Sequence, residues 1–93
     1  MPPPFPSTRR WQRHPVDLPV RVAVANGVSA VAVSGRGTEL SEGGMGLYAG
    51  IFVEPGDLLE VEFGIPCRFR MVAVVRQRSG YCFGLEFIAP LPT

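Results

Sequence analysis

The sequence predicts an all-β domain: six short antiparallel strands closing into a small barrel, with little or no helix. Three observations carry this expectation. Eleven glycines and ten prolines in 93 residues leave little room for helices. The longest stretch free of both, 67–79, alternates: Cys67, Phe69, Met71, Ala73 and Val75 share one face, and Arg68, Arg70, Val72, Val74 and Arg76 share the other. Period two is the signature of a strand. Third, the apolar runs are separated by strong turn signals, Asn26-Gly27, Pro55-Gly56-Asp57 and Ser79-Gly80.

Each element follows in chain order. Residues 1–8 are a proline-rich arm, and the single domain is expected over 9–93. The first strand is expected near 17–25, on the alternation of Val20-Arg21-Val22-Ala23-Val24. Asn26-Gly27 turns it into a second strand near 28–40, because both central positions of that turn tolerate positive φ. A third strand is expected near 45–52. Pro55-Gly56-Asp57 precedes a fourth near 58–64, where Leu59, Val61 and Phe63 alternate with Glu60 and Glu62. The fifth and sixth, near 67–77 and 81–88, form a hairpin around Ser79-Gly80. The prolines in Ile88-Ala89-Pro90-Leu91-Pro92 exclude a terminal helix. Short strands at this pitch suggest a closed barrel, which leaves no edges. On this map Cys82 is expected to face the 75–77 region and not Cys67, so both cysteines are read as small buried hydrophobes without a bridge.

Composition narrows the function classes. The chain is 46% hydrophobic and 18% charged, which excludes a disordered polyelectrolyte. A net charge of +1 argues against a general nucleic-acid binder. The longest uncharged run, 22–35, is too short to cross a membrane and is broken by Asn26-Gly27. No secretory signal is read at the N-terminus, and two cysteines make no disulfide framework, so the expected compartment is the cytoplasm. No metal spacing is present, and no cofactor is expected. The only histidine, His14, lies beside the arm, and Ser41 has no base near it in sequence, so no catalytic constellation emerges.

Two polar clusters stand out. Thr8-Arg9-Arg10-Trp11-Gln12-Arg13-His14 holds three of the nine basic residues just before the first strand. Arg9 and Arg13, four apart, can converge on one anion, and a planar guanidinium both forks onto phosphate oxygens and stacks on bases. The plain alternative is a solvated basic arm. The second cluster is Thr38-Glu39-Leu40-Ser41-Glu42-Gly43-Gly44-Met45-Gly46, at a strand-to-strand turn. A carboxylate there can accept from a guanine edge, and Gly43 and Gly44 permit positive φ and close backbone approach. The plain alternative is a glycine-rich hairpin with Ser41 in a turn hydrogen bond.

In this order the two clusters resemble the PilZ domain family, whose pattern is R-x-x-x-R on an N-terminal loop followed by D/N-x-S-x-x-G. Arg9-Arg10-Trp11-Gln12-Arg13 matches the first motif, and Glu39-Leu40-Ser41-Glu42-Gly43-Gly44 matches the second with Glu in place of Asp or Asn. Asp17-Leu18-Pro19-Val20-Arg21-Val22 is similar to the family's first strand and Gly84-Leu85-Glu86-Phe87 to its closing strand, so the resemblance covers roughly 9–88. It implies a six-stranded antiparallel split barrel that binds the bacterial second messenger cyclic di-GMP on its outer surface. The implied ligand residues are Arg9, Arg10, Arg13, Glu39, Ser41, Gly43 and Gly44, with Arg76 and Arg78 joining if the barrel brings them near. Glu39 carries one more methylene than Asp, which implies weakened or rearranged binding. The resemblance further implies that the loop before Pro15 is ordered by ligand, with Trp11 either reporting that change or plugging the barrel end.

Ninety-three residues hold no output domain, so the signal is expected to pass to an unidentified partner protein or to a second copy in a homodimer. The main alternative is a PilZ adaptor that contacts another protein without cyclic di-GMP. A small barrel binding DNA or RNA ranks lower, because the chain has no lysine and its aromatics Phe63, Phe69, Phe83 and Phe87 occupy core-like positions.

Overall fold

The computed structural model describes residues 13–25, 32–64 and 68–91. Its elements are β1 (His14–Val24), β2 (Val33–Leu40), β3 (Gly44–Ala49), β4 (Leu58–Phe63), β5 (Phe69–Ser79) and β6 (Cys82–Leu91), with no helix among the described residues. The six strands close into a barrel in the order β1-β2-β3-β6-β5-β4, and every neighbouring pair is antiparallel.

Alternation builds the core as expected. Val20 and Val22 of β1, Met45 and Leu47 of β3, Leu59, Val61 and Phe63 of β4, Ala73 and Val75 of β5, and Phe83 and Leu85 of β6 point inward and are buried. Each of these side chains larger than alanine contributes about 1.5–3 kcal/mol when fully buried. Phe63 stacks on Phe69, with centroids 4.5 Å apart, and meets Phe87 edge to face. Among the described residues no polar or charged residue is buried.

Several boundaries differ from the sequence expectation, each for a pairing reason. β1 begins at His14, not near 17, because Pro15 pairs with Glu39 and His14 with Leu40. This segment pairs with β2 alone and is largely exposed, so it carries no burial alternation to read. β3 ends at Ala49, where its partners end: Gly35 pairs with Ala49 on one side, and the Tyr81 carbonyl accepts from the Ala49 N–H on the other. Val53, in the β3–β4 connection, is buried against the core. β6 runs on to Leu91 through Pro90. Its ladder with β3 ends at Glu86, and from Ala89 onward it pairs only with β5, so a proline is tolerated there.

The β5–β6 hairpin turns at Gly80 and Tyr81, with Gly80 at φ 62°. Cys82 pairs with Ser79 and Tyr48 and is exposed, which corrects both the expected facing toward 75–77 and the expected burial. The Asn26-Gly27 turn, residues 28–31 of the expected second strand, and Cys67 lie outside the described residues.

Candidate ligand-binding site

The site begins with three β-bulges. Between Pro15 and Leu18, β1 carries an extra residue relative to β2; Thr38 is extra in β2 relative to β3; Arg76 is extra in β5 relative to β6. A bulge shifts the side-chain parity of everything beyond it. Gly37 faces inward toward Met45, so strict alternation would turn Glu39 inward as well. The extra Thr38 turns Glu39 out and leaves Leu40 packed on the core. In the same way Val75 is buried, and the extra Arg76 leaves Gln77 exposed.

The register then lines up Glu39, Gly46, Gly84 and Gln77 across β2, β3, β6 and β5. A Cβ placed on Gly46 would lie 3.5 Å from that of Glu39, and one on Gly84 would lie 3.5 Å from that of Gln77, so the row faces one way, outward. Two side chains flank two bare backbone positions. The result is an open groove of about 590 Å³ with Arg13, Thr38 and Glu39 on one wall, Gly46 and Gly84 on the floor, and Gln77, Arg78 and Ser79 on the other wall.

The two sequence motifs meet at this groove. Arg13 stands one residue before β1, where the His14–Leu40 pairing sets its position. Its Nη1 donates to Oε1 of Glu39 at 3.0 Å, joining residues 26 apart in sequence. Both side chains are about two-fifths exposed (39% and 42%), so the pair contributes at most about 1 kcal/mol.

The remaining motif residues shape the β2–β3 turn. The Gly44 carbonyl accepts from the Ser41 N–H at 3.0 Å and from the Ser41 hydroxyl at 3.3 Å. The Gly43 carbonyl accepts from the Phe87 N–H at 2.9 Å, which docks the turn on β6. Positive φ, which Gly43 and Gly44 would permit, is found among the described glycines at Gly56 and Gly80. Gly44 has a different reason for lacking a side chain: a Cβ there would collide with the Leu85 carbonyl of β6.

The barrel separates the two conditional arginines. Arg78 borders the groove while its guanidinium turns away to Glu54, and Arg76 turns to Glu86 at 2.6 Å. Arg9, Arg10 and Trp11, and with them the expected loop ordering, lie outside the described residues. Gln77 did not emerge from the sequence, and Thr38, Gly46 and Gly84 stood in the second cluster or the closing strand without a binding role, although one signal was present: Glu39 and Gln77 are polar residues at inward parity, which a bulge resolves.

Among the described residues no helix is long and apolar enough to cross a membrane. The fold is similar to solved structures. One is the PilZ domain of CeSA from a cellulose-synthesizing bacterium, at 19% identity over 83% of this chain and 80% of that one, with a TM-score of 0.68. Another is the Bacillus subtilis inhibitor of motility MotI/DgrA, at 18% identity and a TM-score of 0.71; the match covers 98% of this chain but 49% of that one. A search of curated proteins found no match. The PilZ domain family matches residues 7–93, a span that holds both motifs, all six strands and the groove between them, and the chain belongs to that family.

Proposed function

We propose that this PilZ domain binds cyclic di-GMP in the groove beside Arg13 and Glu39, and passes the signal to a partner protein through its N-terminal loop. The observation that supports this most is the meeting of the two motifs: Arg13 and Glu39 stand 3.0 Å apart at the rim of a glycine-floored groove. The chemistry of the groove suits the ligand. Bare backbone at Gly46 and Gly84 admits a flat base, the arginine addresses phosphate or stacks on guanine, and the carboxylate accepts from guanine N1–H and N2–H₂. In this reading Arg9 and Arg10 close over the ligand from the loop, and the Ser41 turn sets the height of Glu39. The domain is a binding module without catalytic residues, working in the bacterial cytoplasm where the messenger is made.

A second reading is an adaptor that contacts a protein without the nucleotide. The same ion pair favours it, because Glu39 neutralises Arg13 in the free protein.

Calorimetric titration with cyclic di-GMP separates the two readings. The receptor reading expects saturable binding by the wild-type protein, lost in Arg9→Ala and in Arg13→Ala. Absence of heat from a protein that circular dichroism shows to be folded leaves the adaptor.

A further inference from the structure

We propose that the outer face of β4, β1, β2 and β3 carries a second binding site, for a small aromatic molecule with a single anionic group, and that Arg21 receives that group. The cavity there, of about 670 Å³, shares none of its described lining residues with the groove beside Arg13 and Glu39, so it is independent of the cyclic di-GMP reading.

Alternation sets the walls. Arg21 lies between buried Val20 and Val22, Tyr48 between buried Leu47 and Ala49, and Glu62 between buried Val61 and Phe63, so all three side chains point outward. The register places Ser34 on one side of Arg21 and Glu62 on the other, and sets Arg36 beside Tyr48. These side chains therefore rise from four adjacent strands around one patch. Pro19 and the backbone of Gly35, Gly50 and Gly64 form the floor between them. A Cβ on Gly50 or Gly64 would meet no atom within 4 Å, so nothing else fills the space above those two positions. The volume is that of a small-molecule site, about 300–1,000 Å³. A floor of backbone and proline beside the half-exposed Tyr48 ring suits a flat apolar body.

Charge selects the head group. Arg21, Arg36 and Arg68 line the cavity. Two of them are already matched: Arg36 Nη1 donates to Asp17 Oδ1 at 2.9 Å, and Arg68 Nε donates to Glu62 Oε2 at 3.1 Å. Glu62 is the strand neighbour of Arg21, yet its carboxylate turns to Arg68, and Arg21 has no hydrogen-bond or ion-pair partner among the described residues. One positive charge is left over, with the five N–H donors of its fork unspent. That surplus matches one carboxylate or sulfonate. A second anionic group on the ligand would meet the Glu62 carboxylate, which disfavours a dianion.

The test is fluorescence titration of the full chain with two probes. One is anilinonaphthalene sulfonate, an aromatic monoanion; the other is phenylnaphthylamine, the same rings without the sulfonate. Wild type, Arg21→Gln, Arg21→Lys, Ser34→Glu and Arg13→Ala are compared, with circular dichroism of each. Positions 21 and 34 are exposed on their strands, so the barrel is expected to fold in every variant. Wild type is expected to bind the anion saturably. Arg21→Gln is expected to bind it roughly five-fold more weakly, the most that an exposed ion pair contributes, and to bind the neutral probe as wild type does. Arg21→Lys keeps the charge and is expected to recover most of the affinity. Ser34→Glu sets a carboxylate directly across from Arg21 and is expected to weaken the anion as Arg21→Gln does. Arg13→Ala is expected to bind both probes as wild type does. No saturable binding of the anion by folded wild type overturns the proposal, as does equal affinity for it in wild type and Arg21→Gln. A loss in Arg13→Ala also overturns it, by placing the anion in the other groove.

Discussion

Replacing Gly84 by valine separates the groove from the fold, because its two consequences differ in sign. Gly84 sits on β6 between Gly46 and Gln77, with no positive φ. A Cβ there meets Cβ and Oε1 of Gln77 at 3.5 Å, ordinary van der Waals contact, so the barrel accommodates a side chain. Glycine inside a strand costs about 0.5–1 kcal/mol relative to alanine, and a β-branched residue suits a pleated surface. The variant is therefore expected to be as stable as wild type or up to about 1 kcal/mol more stable, which in a domain of this size raises the melting temperature by up to roughly 4–8 °C. The groove responds in the opposite way. The first carbon alone raises its floor by about 1.5 Å, and the two methyls fill the space a base would take. Overfilling a packed site costs about 1–3 kcal/mol, or a Kd weaker by roughly 5- to 140-fold. Thermal melting and calorimetry with cyclic di-GMP read the two effects. Unchanged Kd and stoichiometry would refute binding over the glycine floor, and a lowered melting temperature would refute the open surroundings of Gly84.

Two further outcomes test the site's supports. Gly44→Ala forces a Cβ against the Leu85 carbonyl, backbone against backbone, so the expected loss is about 1–3 kcal/mol and a melting temperature lower by at least roughly 4 °C; an unchanged melt means that β3 and β6 do not approach so closely. A double-mutant cycle of Arg13→Ala and Glu39→Ala on stability should give a coupling of no more than about 1 kcal/mol, shrinking as salt is raised, and a larger, salt-insensitive coupling would show a pair withdrawn from water.

The strands were legible where burial imposes alternation. Leu59, Val61 and Phe63, and Met71, Ala73 and Val75, mark one face against the core, and their strands appear where expected. Legibility failed where burial stops: His14 and Pro15 at the start of β1, and Ala89 and Pro90 near the end of β6, pair on one side only and show no period. The motifs named Arg13 and Glu39, and the barrel brings them together. The groove between its walls was hidden because it depends on register. Gly46 and Gly84 become neighbours only through the pairing of β3 with β6, strands far apart in sequence. Gln77 faces solvent only because Arg76 bulges. Neither fact is local, so no window of sequence contains it.

The departure at Glu39 bears on the choice between receptor and adaptor, and magnitudes decide which way. If the ion pair with Arg13 closed the site, it would have to be stronger than the contacts a ligand offers in exchange. Both side chains are about 40% exposed and joined by a hydrogen bond of 3.0 Å, so the pair holds at most about 1 kcal/mol. An arginine hydrogen bond to phosphate contributes about 1.5–3 kcal/mol. On the receptor reading a nucleotide phosphate would therefore displace the carboxylate and leave Glu39 to accept from a base edge in the same groove. The longer side chain assists this exchange, since Glu reaches Arg13 from a backbone position set by Thr38 and can swing away without disturbing the strand. On that reading Glu39 would lower affinity by a small factor without removing the site, so the ion pair by itself is too weak to decide for the adaptor. For the adaptor to prevail, what keeps the nucleotide out must be something other than this pair.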